Sequence, residues 1–129
     1  MLSWKGFLVL GIAGALGTLL RYGTSIWLNS DDSFLPWGTL AVNVAGCFAI
    51  GFGFALLTGT SRLSQDWATV IHVGLLGGLT TFSSFGYEMV LLAEKRNPSI
   101  AGMYAVLTLG CAILAVVSGG RLARLWETL

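Results

Sequence analysis

Between residues 74 and 88 the chain reads GLLGGLTTFSSFGYE, two adjacent glycines followed by hydroxyl residues threaded by phenylalanines and closed by a glutamate. Elsewhere Thr39 and Asn43 stand four residues apart, and Tyr104, Thr108, Cys111 and Ser118 recur at a spacing that draws a polar stripe down one helix. These side chains offer many hydrogen-bond donors and no charge: an amide with two N–H groups and a set of hydroxyls. Such a lining suits a small anion that must shed its water. Phe82 and Phe85, at i and i+3, share a helix face, and their ring edges are electropositive. Phenylalanines on an apolar helix also serve as plain lipid or core contacts, so these two gain meaning only from their polar neighbours. Catalytic chemistry has no comparable support. His72 is alone, Cys47 and Cys111 read as inert buried thiols, no metal-ligand spacing occurs, and no Gly-Lys-Ser/Thr follows the glycine pair. The chain is not expected to be an enzyme.

The elements carrying these residues are apolar throughout. The 129 residues are 55% hydrophobic and 10% charged, with a mean hydropathy of +0.80, which leaves too little polar surface for a soluble domain. Long apolar runs predict four spans, near residues 4–28, 36–58, 67–93 and 99–125, each able to cross ~30 Å of hydrocarbon. NSDDSFLP, GTSRLSQD and EKRNP form the short loops between them. Trp4, Trp27, Trp37, Trp67 and Trp126 all fall at span ends, where an amphipathic indole prefers the headgroup boundary. The expectation is an all-α membrane protein: residues 1–129 form one four-helix transmembrane domain, crossing the membrane several times. The first span is too long for a cleaved signal peptide.

With alternating spans, Lys5, Arg62, Arg121 and Arg124 lie on one side and Arg21, Lys95 and Arg96 on or near the other. So small a bias predicts insertion in both orientations and an antiparallel homodimer. If Arg21 instead belongs to the membrane interior, the ratio is four to two and a single orientation follows. Counting along helices from the tryptophans puts Gly77 ~15 Å deep, near the midplane, and Asn43 ~9 Å deep from the opposite face, with Thr108 at a similar level. Glu88 comes out ~4 Å from the interface, within reach of water. Gly-Gly-Leu-Thr-Thr is a weak helix former, and a helix broken there must face protein or a cavity. Carbonyls of Gly77 and Thr80 from two subunits could then hold a small cation such as sodium. Close packing by small residues accounts for the same glycines.

The segments GGLTTFSSF (77–85), WGTLAVNVAGCFAIG (37–51) and GIAGALGTLLRYGTS (11–25) resemble the signature of the Fluc, or CrcB-type, family of fluoride channels, and chain length and span number agree with it. The resemblance implies a dual-topology homodimer with two antiparallel pores, passive export of cytoplasmic fluoride that confers fluoride resistance, and a structural sodium ion at the dimer centre. It assigns Asn43 to the pore, Phe82 and Phe85 to paired phenyl rings, and Ser83 and Ser84 to a polar track, with Thr39, Tyr104 and Thr108 as further lining. Gly77 and Thr80 would offer carbonyls to sodium, and Arg21 would lie in an aqueous vestibule. Ser84 stands where the family often has threonine, and Gly86 where serine is more usual. The implied partners are fluoride, sodium, the lipid membrane and a second copy, with no nucleic acid. A small multidrug-type proton-coupled exporter shares the gross features but uses an acid in its first span, where this chain has only Arg21. An assembly subunit without transport activity fits the composition and leaves the polar layer unexplained.

Overall fold

The computed structural model describes residues 3–30, 33–60 and 64–128; Arg62, counted among the loop charges, lies outside them. The described residues are helical with short connections. They form α1 (Trp4–Leu28), α2 (Trp37–Thr60), α3 (Gln65–Thr69), a π-helical stretch (Val70–Leu76), α4 (Gly77–Leu79), α5 (Phe82–Lys95) and α6 (Pro98–Glu127). Four segments are long and apolar enough to cross a membrane: 4–28, 37–56, 65–95 and 98–127. The third is made of α3, the π stretch, α4 and α5 in succession. Its π stretch coils more residues into each turn than an α-helix, so depths counted at ~1.5 Å per residue do not carry through it.

Local chemistry sets the helix ends. Ser3 caps α1, its Oγ accepting from the Gly6 N–H at 3.3 Å. Asn97 caps α6 ahead of Pro98, which lacks the N–H that a first helical position leaves unpaired. The Asn29 side chain accepts from the Gly38 N–H in the first turn of α2. All five tryptophans lie at or near helix ends with much of their surface uncovered. Along α1, Phe7, Leu8, Ile12, Leu16, Leu19 and Leu20 are exposed, an apolar surface that only lipid or another protein can cover.

Glycines let the helices approach closely. α1 lies on the π stretch and α4, where a Cβ on Gly17 would strike the Leu75 carbonyl oxygen and one on Gly78 would strike that of Gly14. α2 lies on α6, where a Cβ on Gly51 would meet the Val116 carbonyl and one on Gly119 the Phe48 carbonyl. Without a hydrophobic drive between helices in lipid, such backbone proximity supplies the dispersion contact that holds the pairs. A small core of Leu35, Phe85, Leu92, Ala101 and Tyr104 sets α5 against α6 and the α2 entrance. Gly119→Ala should therefore lower stability by about 1–3 kcal/mol through overpacking. Gly102→Ala, where an added Cβ meets nothing within 4 Å, should match or slightly exceed the parent. Thermal unfolding of the two variants in one detergent checks the contrast.

Candidate functional site

Between α4 and α5 the backbone of Thr80 and Thr81 is extended, with φ/ψ of −81°/154° and −151°/126°. The glycine pair ahead of it is helical, Gly77 having φ/ψ of −65°/−35°. The departure thus falls on two β-branched residues, for which the extended conformation is favourable. Three polar groups compensate for the lost helical bonds. Asn43 on α2 aligns its amide with the Thr81 backbone: Oδ1 accepts from the Thr81 N–H at 2.8 Å, and Nδ2 donates to the Thr81 carbonyl at 3.0 Å. Arg21 on α1 donates from Nε to the Gly78 carbonyl at 3.2 Å, at the carboxyl end of α4. Thr81 caps α5, its Oγ1 accepting from the Ser84 N–H at 3.2 Å. The same hydroxyl lies 3.2 Å from the Oγ atoms of both Ser83 and Ser84.

These bonds sort the sequence-derived residues into groups. Asn43, Thr80, Phe82, Phe85 and Thr108 line one groove of ≈ 240 Å³, joined by Cys47 and Thr81. Thr108 Oγ1 is buried without a hydrogen-bond partner among the described residues. One of the two Asn43 N–H groups is given to Thr81, leaving the other. Phe85 is buried, its ring 5.7 Å from that of Phe82 and 5.5 Å from that of Tyr104, both tilted by 43°. Phe82 is 79% exposed, so beyond its contact with Phe85 most of that ring is left uncovered by its own chain. Ser83 and Ser84 belong to the cap around Thr81. Gly46, one turn beyond Asn43, lies against the Thr80 methyl group. Arg21 is tied to Gly78 seven residues before α1 ends, so it is not a loop charge, and the remaining tally is four to two. Of the polar stripe on α6, Tyr104 and Thr108 are buried while Ser118 is exposed.

Thr39 and Tyr104 turn to Glu88. Thr39 Oγ1 donates to one carboxylate oxygen at 2.6 Å and the Tyr104 hydroxyl to the other at 2.9 Å, so a single side chain on α5 joins α2 and α6. Each of these hydroxyls has one proton and has given it away. Glu88, read from depth alone as a residue reaching water, is instead bonded between helices. Thr81 and Glu88 are the two residues that the sequence argument left without a role. A threonine just before a new helical run carries the cap signature that could have found the first. Glu88→Ala would strand two buried hydroxyls at a cost of about 1–3 kcal/mol each, whereas Thr39→Val removes one bond for about 0.5–1.5 kcal/mol or somewhat more. Melting midpoints in detergent should fall in that order; equal midpoints for Glu88→Ala and the parent would contradict the bridge.

Known proteins can now be set beside this arrangement. Residues 8–120 match the family described as CrcB-like protein, Camphor Resistance (CrcB). A protein of Rhizobium leguminosarum bv. trifolii named fluoride-specific ion channel FluC is 39% identical over 113 residues, 87% of this chain and 90% of the relative. One of the same name from Roseiflexus is 40% identical over 118 residues, covering 91% and 95% of the two chains. Another, from Clostridium perfringens, is 38% identical over 120 residues, covering 92% and 93%. These relatives are named as channels and not as enzymes. With four helices able to span a bilayer and a match of this extent, the chain is a multi-pass integral membrane protein and belongs to the CrcB-like family.

Proposed function

We propose that this chain forms a fluoride-selective channel that passively exports cytoplasmic fluoride through two antiparallel pores of a homodimer and so confers fluoride resistance. The observation that carries the reading is the near full-length similarity to relatives named fluoride-specific ion channels. The groove supports it chemically. Its polar lining is uncharged, with a spare N–H on Asn43 and an unpartnered hydroxyl on Thr108. Such donors can replace part of the hydration shell of a small, strongly accepting anion. Phe82 and Phe85 offer positive ring edges to that anion and, with apolar faces, keep the passage narrow against larger chloride. Ser83 and Ser84 extend the hydroxyl track, Thr39 and Tyr104 form walls anchored through Glu88, and Arg21 serves a vestibule while holding α4. Fluoride enters cells from acidic surroundings as neutral HF and is trapped by ionisation, so a passive path suffices to release it.

A second copy is part of the proposal. An extended backbone step with Gly77 and Phe82 exposed beside it is costly against lipid, because hydrocarbon satisfies no polar group. A partner packed there, related by a two-fold axis at the bilayer midplane, would cover it. With Arg21 drawn inward, the four-to-two loop bias by itself favours one orientation, so the antiparallel pairing rests on the uncovered extended step and on the likeness to the named channels. The Gly77 and Thr80 carbonyls fit a structural sodium ion at that axis, since a hard cation takes oxygen ligands. The Thr81 N–H, which would bond the Gly77 carbonyl in a continuous helix, goes to Asn43. Sodium would supply positive charge that draws two such carbonyl pairs together. The proton-coupled exporter is not favoured: the first span has no carboxylate, and the named relatives are channels.

Fluoride efflux from liposomes holding the purified protein tests the proposal, with chloride and a valinomycin-shunted voltage as controls. Rapid fluoride release with little chloride release is expected. Asn43→Asp should reduce fluoride flux to that of protein-free liposomes, because a carboxylate has no N–H for Thr81 or for the anion and adds repulsion. Undiminished flux in that variant would remove Asn43 from the path.

A further inference from the structure

A second depression lies between α2 and α6, sharing no residue with the groove beside Asn43. Its volume is ≈ 490 Å³, and it is lined by apolar side chains, among them Ile50, Phe54, Val116 and Val117, with Arg121 and Arg124 at one end. Gly51 and Gly120 also line it, where α2 and α6 approach each other closely. Phe54 is 62% exposed and Val117 45% exposed, so the walls are open to the surroundings. The arginines are one helical turn apart on the same face of α6, and the exposed Trp126 follows them at the end of the helix. They therefore lie near the headgroup level, while the apolar wall runs about 12 Å inward from Arg124 to Val116. Among the described residues no acidic side chain lines the depression.

We propose that this groove binds one anionic membrane phospholipid, an acyl chain along Ile50, Phe54, Val116 and Val117 and the headgroup phosphate at Arg121 and Arg124. A guanidinium pairs with phosphate through parallel N–H···O bonds, and two of them one turn apart supply the charge for a net anionic headgroup. The apolar wall gives hydrocarbon a dry surface, which a free phosphate ion would leave unused. Basic grooves between transmembrane helices recognise anionic headgroups on this principle. A zwitterionic headgroup brings its own cation and gains less.

The full chain, purified in mild detergent and exposed to equal amounts of phosphatidylglycerol and phosphatidylcholine, can be assayed for bound lipid by native mass spectrometry. The parent should retain phosphatidylglycerol about thirtyfold over phosphatidylcholine, the scale expected of two basic residues. Arg121→Gln/Arg124→Gln should bring the ratio near one. Gly120→Leu, which fills the groove and keeps both arginines, should reduce the retention of both lipids, with helical circular dichroism unchanged in each variant. An unaltered preference in the double glutamine variant would overturn the proposal. Displacement of the lipid by inorganic phosphate alone would do so too, as would a shift of the monomer–dimer balance without any change in bound lipid, which would mark a groove covered by a second copy.

Discussion

The paired hydrogen bonds between the Asn43 amide and the Thr81 backbone are the constraint on which the rest of the site depends. In hydrocarbon an unpaired peptide group costs several kcal/mol, so an extended step inside a spanning segment survives only if its N–H and C=O are both met. A primary amide presents an acceptor and a donor side by side, as a neighbouring peptide strand would, and here it meets both groups of one residue. Once Thr81 is held, its hydroxyl is placed to cap α5, which sets where Phe82 and Phe85 begin their helix. Arg21 completes the arrangement from the other side by occupying the Gly78 carbonyl at the end of α4, where a cation also meets the negative pole of the helix.

Two kinds of contact keep Asn43 and Thr81 at that distance. On one side of the extended step the backbones touch: Gly17 and Gly78 let α1 close on the π stretch and α4, and Gly46 admits the Thr80 side chain against α2. On the other, the contact is polar, with Glu88 receiving protons from Thr39 on α2 and Tyr104 on α6. The α2 face carrying Thr39, Asn43 and Gly46 is consequently read in reverse order along the third span, as Glu88, Thr81 and Thr80. One stripe at helical spacing thereby fixes the register of two antiparallel helices.

Much of this arrangement is legible in the sequence. The four spans could be read within two or three residues, because hydrocarbon thickness and the exclusion of charge limit where a helix can start and stop. Asn43 and Thr108 could be placed at one depth, and they do share a groove, which also takes in Thr80 from the midplane break together with Phe82 and Phe85. Arg21 was harder to place. An arginine near the end of a span can reach water or turn inward, and its own segment does not say which. Glu88 had the same ambiguity, resolved by two hydroxyls from helices far away in sequence. The π-helical stretch over Val70–Leu76 left no mark strong enough to separate it from an ordinary α-helix of the same composition.

By itself, then, the sequence determined the helical class, the number and approximate bounds of the spans, and the set of uncharged donors and phenyl rings, since each follows from the transfer energies and periodicity of local segments. Tertiary structure decided which donors are already committed and which remain. Thr39 and Tyr104 have given their protons to Glu88, Asn43 has given one of two to Thr81, and Thr108 has given none within the described chain. Hydrogen-bond partnership is settled by which helices meet and in what register, and that depends on close contacts between residues far apart in the chain, such as Gly17 with Gly78 and Phe48 with Gly119.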